Sequence, residues 1–130
     1  MSEEQTGSGQ LAAAISSTVV RAIADATGRG PTKARTTIGQ DSVFVVVGDA
    51  LTRGERTLVD AGDTATVLRL REAWQRVMHR SLSQEIESLT GRRVIGFMSA
   101  NHLQPDLGVE IFILEPNGGN GRIAEGESAE

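Results

Sequence analysis

Apolar residues recur every three or four positions in two stretches of the chain and alternate or run unbroken in four others. Leu11, Ile15, Val19 and Ile23 stand four apart, with Ala12, Ala22 and Ala26 beside them, which predicts an amphipathic helix over residues 10–27. Gly28-Arg29-Gly30-Pro31 ends it, because glycine accepts left-handed backbone angles and proline cannot continue the ladder. Over residues 33–38, Ala34, Thr36 and Ile38 alternate with Lys33, Arg35 and Thr37, the pattern of an outer strand with one wet side. After the turn Gly39-Gln40-Asp41 comes Val43-Phe44-Val45-Val46-Val47, apolar on both sides and so expected to be covered on both.

Thr52 and Glu55 have the spacing of a capping box, which predicts a short helix from there to about Asp60. Asp63 is placed to cap a longer helix over residues 63–90. In it Val67, Leu70, Trp74, Val77 or Met78, Leu82, Ile86 and Leu89 form the predicted inner stripe, and Gly91 marks its end. At 1.5 Å per residue this helix is about 40 Å long, more than a small sheet needs, and the surplus points to a partner. Residues 94–99 and 109–114 then read as a second hairpin across the loop 100–108. The expected fold is α+β, in the order α-β-β-α-β-β, with an antiparallel four-stranded sheet, helices on one face and a long second main helix. The α-β-β unit occurs twice, without a convincing sequence repeat.

The 130 residues fit one domain over residues 10–116, flanked by tails at 1–9 and 117–130 expected to be disordered. Glu3 and Glu4 at one end, and Glu125, Glu127 and Glu130 against Arg122 at the other, account for the whole net charge of −4. The neutral middle has no field to gather nucleic acid or anionic lipid. The absence of cysteine removes disulfides, thiolate metal sites and cysteine nucleophiles. No apolar run approaches the roughly 20 residues of a membrane span, and the acidic start is unlike a signal peptide, so a cytoplasmic protein without membrane insertion is expected.

Candidate chemistry is sparse. Arg29, Lys33 and Arg35 around the glycine turn, with Asn101 and His102 from the second hairpin, form a candidate anion or small-molecule site, weighed against plain turn chemistry. A helix exit is the wrong polarity for a phosphate loop. Arg69, Arg76 and Arg80 lie on one side of the long helix, with Glu72 placed to pair with Arg76, and form either a solvated face or a docking stripe. Trp74 and Ile86 join them as candidate interface residues, with core packing the competing reading for Trp74. His79 and His102 lack metal-ligand spacing, and no serine has a nucleophile-elbow pattern. No catalytic residue, metal site or cofactor is expected.

Several of these segments resemble the MpsC family, named for a component of a sodium-translocating, membrane-potential-generating system. They are Gly28-Arg29-Gly30-Pro31, residues 41–47, Leu51-Thr52-Arg53-Gly54-Glu55 with Leu58, Ile86-Glu87-Ser88-Leu89-Thr90-Gly91 and residues 109–114. The resemblance runs from Leu11 to Glu115. It implies an accessory role beside a membrane system for cation transport or inorganic-carbon supply, and it assigns no catalytic residues. The first expectation is therefore a non-enzymatic homodimer that meets a membrane transport subunit. A small-molecule sensor is the alternative, and a KH-like RNA-binding module ranks last because Gly28-Arg29-Gly30 is too short for its loop.

Overall fold

The computed structural model describes residues 3–116. The elements are α1 (Glu3–Thr27), β1 (Lys33–Ile38), β2 (Ser42–Gly48), α2 (Arg53–Asp60), α3 (Thr64–Thr90), β3 (Val94–His102) and β4 (Leu107–Leu114). The four strands form one antiparallel sheet in the order β1-β2-β4-β3. This is the α+β architecture expected, and α2 is the short helix announced by the capping box. Thr52 Oγ1 accepts from Glu55 N at 3.1 Å while the Glu55 carboxylate accepts from Thr52 N at 2.9 Å.

Two boundaries differ from the pattern-based reading. Helix α1 begins at Glu3, so residues assigned to an N-terminal tail belong to the helix; the glycines at 7 and 9 weaken the apolar signal without breaking the ladder. Strands β3 and β4 run on to His102 and from Leu107, well into the expected loop, because their backbones keep pairing through Ala100↔Val109 and His102↔Leu107. The proposed C-terminal tail, 117–130, lies outside the described residues.

The core is a sandwich of two helices on the sheet. Ile15, Val19 and Ile23 from α1 and Met78, Leu82 and Ile86 from α3 pack on Val43, Val45, Val47, Phe112 and Leu114. Each such side chain contributes about 1.5–3 kcal/mol by leaving water. A smaller cluster of Leu51, Val59 and Val67 seats α2.

The inner face of α3 is turned from its expected position. Val67, Arg71, Gln75, Met78, Leu82 and Ile86 are buried, whereas Leu70 and Val77 are 49% and 83% exposed. Arg71 and Gln75 are buried where apolar periodicity puts Leu70 and Trp74, and of Val77 or Met78 it is Met78 that is buried.

A structural repeat accompanies the repeated α-β-β order. Both main helices end in Thr-Gly-Arg, four residues after a buried isoleucine: Ile23 and Thr27-Gly28-Arg29, then Ile86 and Thr90-Gly91-Arg92. In each, the threonine hydroxyl donates to the isoleucine carbonyl, at 2.9 and 2.8 Å, and accepts from the arginine N–H, at 3.1 and 3.2 Å. Each glycine is left-handed, φ 86° and 70°, a conformation that other residues resist. Each arginine then reaches past the end of the hairpin that follows, Arg29 to the Asp49 carbonyl and Arg92 to the Glu115 carbonyl.

With these turns superposed, Ile15, Val19 and Ile23 correspond to Met78, Leu82 and Ile86, and Leu11 to Trp74. The two halves are related by a pseudo-two-fold through the paired residues Val45 and Glu110 at the centre of the sheet.

Candidate functional site

The second half carries polar side chains where the first carries small or apolar ones. Glu110, on the helix-facing side of β4, is 1% exposed. Its carboxylate accepts from Gln75 Nε2 at 3.0 Å and from the Ser99 hydroxyl. Gln75 exchanges two hydrogen bonds with the Asn101 amide, at 3.0 and 3.1 Å. Asn101 Oδ1 also accepts from Arg71 Nε at 3.2 Å, and Arg71 Nη1 pairs with Glu55 at 3.0 Å. The chain Glu55–Arg71–Asn101–Gln75–Glu110–Ser99 thus ties α2, α3, β3 and β4 into one buried network. The Arg71 guanidinium lies 5.0 Å over the Trp74 ring.

Burial pushes the Glu110 carboxyl up to about 7, while the bonds from Ser99 and Gln75 and the charge of Arg71 pull the other way. Near neutral pH the network therefore holds a carboxyl that gains or loses a proton. Ser99 is exposed, so the network reaches the surface at that residue.

It surfaces in a groove between α3 and the edge strand β3. One lobe, of about 320 Å³, is walled by Glu72, Gln75, Arg76, His79, Phe97 and Ser99. A second, of about 400 Å³, continues along Arg80, Ser83 and residues 94–96, sharing Arg76, His79 and Phe97 with the first. The His79 ring meets Phe97 edge-on with centroids 4.1 Å apart. Among the described residues no carboxylate lies within 4.0 Å of Arg76 or Arg80, so the expected Glu72–Arg76 pair does not form.

The opposite face of the sheet is open. Phe44 and Val46 of β2 are 42% and 44% exposed, as are Met98 and Leu107 at 51% and 44%. The register places Val109 and Ile111 between them. In the single chain β2 is therefore covered on one side, not both.

The five residues expected to form an anion site do not converge. Arg29 is spent on Asp49, at 3.0 Å, and on the carbonyls of Asp49 and Leu51. Hydrogen bonds from Thr32 and Arg29 in turn lower the Asp49 carboxyl from its ordinary value. Lys33 and Arg35 sit on edge strand β1 and look onto the open face, while Asn101 lies across the sheet on the opposite edge strand and belongs to the buried network. The His102 ring is bonded to the Pro105 carbonyl at 2.7 Å.

Of the expected interface residues, Ile86 is wholly buried in the core and cannot meet a partner. Trp74 is half-buried against the same core. Arg76 and Arg80 line the groove, and Arg69 bonds to Thr66 at 3.3 Å on the same helix. Arg71, Gln75, Ser99 and Glu110 were not singled out by the sequence as site residues, and Glu55 was read there only as a helix cap. The one available signal was Glu110, a charge in the middle of an otherwise apolar strand.

The fold and this arrangement define a small α+β domain with a duplicated α-β-β plan, a buried polar network on one half and an uncovered apolar sheet face. The family described as Na+-translocating membrane potential-generating system (MpsC) matches residues 7–116, and the chain belongs to that family. No curated relative and no solved structure matches it. No helix among the described residues is long and apolar enough to cross a membrane.

Proposed function

We propose that this chain is a cytoplasmic, non-enzymatic accessory or regulatory component of a membrane-potential-generating cation-transport system, acting as a homodimer closed over its open sheet face. The observation that carries the reading is that face. Phe44, Val46, Met98 and Leu107 stand on it half-exposed, and a continuous apolar surface of this kind marks an interaction site.

Several features favour a second copy as its cover. Both sheet edges are blunted, β1 by Lys33 and Arg35 and β3 by an irregularity between Val94 and Gly96, which turns association from edge pairing to face packing. The cations of this face lie on β1. A two-fold axis parallel to the strands sets each β1 over the partner's β3 and keeps the two Arg35 side chains apart. Four strands at about 4.8 Å, each about 20 Å long, give a platform on the order of 400 Å² in projection. That suits a modest, concentration-dependent dimer better than an obligate one. The family description supplies the membrane-potential context.

The role is tested in native cells with a potential-sensitive dye. Deleting the protein should lower the membrane potential, the wild-type chain should restore it, and Phe44→Asp/Met98→Asp should not. An unchanged potential after deletion would overturn the reading.

A further inference from the structure

We infer that the groove between α3 and β3 binds a small organic anion, a carboxylate or phosphate monoester carried on an apolar ring or short chain. The pseudo-symmetry supplies an internal control. The equivalent groove of the first half, between α1 and β1, has nearly the same volume, about 390 Å³ against about 400 Å³. Its wall is Ser16, Ser17, Val20 and Ala34 where the second has His79, Arg80, Ser83 and Phe97, and the arginine that lines it, Arg21, is paired with Glu85 at 3.4 Å. Ala13 is the counterpart of Arg76, and Val45 that of Glu110. The helix packing and turn bonds match closely, so the fold does not itself require the polar set.

What the second groove adds is anion chemistry. Arg76 and Arg80 stand one helical turn apart, with Cβ atoms about 6 Å from each other, and neither has a carboxylate within 4.0 Å among the described residues. Guanidinium forks at this spacing suit a carboxylate or phosphate. Glu72 at the rim offsets one of the two charges and leaves the wall net positive. Phe97, Val94 and Ile95 provide an apolar side for the body of the ligand, and Ser83 a hydroxyl donor. The lobes fall at the small end of the ligand-site range. Behind Ser99 and Gln75, on the wall of the adjoining lobe, lies Glu110, a carboxyl that exchanges its proton near neutral pH.

The test is a titration of the full-length protein with phenyl phosphate and benzoate, followed by two-dimensional NMR, with benzyl alcohol and inorganic phosphate as probes lacking the charge or the body. Phenyl phosphate should saturate shifts at His79, Phe97 and Arg80 and leave Ser16 and Thr36 unmoved, and each incomplete probe should bind more weakly. Arg76→Ala and Arg80→Ala should each weaken binding by about tenfold, the loss of one charge-assisted contact. Arg69→Ala, outside the groove, should bind as wild type. The inference fails if neither charged probe shifts His79, if both grooves respond alike, or if the Arg76 and Arg80 variants bind unchanged.

Discussion

Glu110 is the residue on which the physical chemistry of this molecule turns. Its folded carboxyl titrates at about 7, against an ordinary value of 4.5, because burial disfavours the charged form more than Ser99, Gln75 and Arg71 favour it. Below the ordinary value both folded and unfolded chains carry the proton, and the group is neutral in its effect on stability. As pH rises from 4.5 to about 7 the unfolded chain releases the proton first, so stability falls through that window, then stays lowered. The penalty is roughly 3 kcal/mol at most. Glu110→Gln keeps an acceptor for Gln75 and an amide that can donate to Ser99, without the charge. It should therefore be more stable than wild type above pH 7 and nearly equal to it near pH 4.5, measured by urea unfolding at both. An equal difference at the two pH values would show that the carboxyl does not titrate as described. The neighbouring Arg71–Glu55 ion pair, with side chains 4% and 2% exposed, is buried with the network. Its worth lies in mutual satisfaction, since either group alone would be an uncompensated buried charge.

At the scale of elements, the two Thr-Gly-Arg turns fix where the main helices stop and where the following strands begin. Each threonine hydroxyl donates to a carbonyl of the last helical turn and accepts from the arginine N–H two residues on. Thr27→Val and Thr90→Val should each cost about 1 kcal/mol. The two costs should add in the double variant, because the turns share no partner. Chemical denaturation checks this, and strong non-additivity would mean that the halves are coupled through these ends. The same elements show what was legible in the chain. Helix stops, the capping box and the first hairpin follow from glycine, proline, threonine and apolar alternation and stand where expected, while the second hairpin is present with longer strands than its apolar runs announce. The rotation of α3 was not legible, because Arg71 and Gln75 look like surface residues to any hydrophobic pattern and are drawn inward by Glu55, Asn101 and Glu110, which lie far off in sequence. The repeat was written in the sequence as Ile-x-x-x-Thr-Gly-Arg, twice. It is hard to see there because the residues that differ between the halves, Ala13 and Arg76 or Val45 and Glu110, differ in chemistry while sharing a place.

For the whole molecule, the duplicated plan leaves two helices on one face of the sheet and nothing of the described chain on the other. Candidate binding residues chosen from sequence, Arg29, Lys33, Arg35, Asn101 and His102, are scattered by this topology, since β1 and β3 are its two opposite edges. Arg76 and Arg80, chosen as a helix stripe, are gathered instead into the groove. The central claim is that the open sheet face is closed by a second copy, and sedimentation velocity over a concentration series tests it most directly. The wild-type protein should pass from monomer to dimer as concentration rises. Phe44→Asp, with an unchanged circular dichroism spectrum, should remain monomeric throughout. A wild-type chain that stays monomeric at every concentration, or a Phe44→Asp variant that dimerises as readily, would contradict the account.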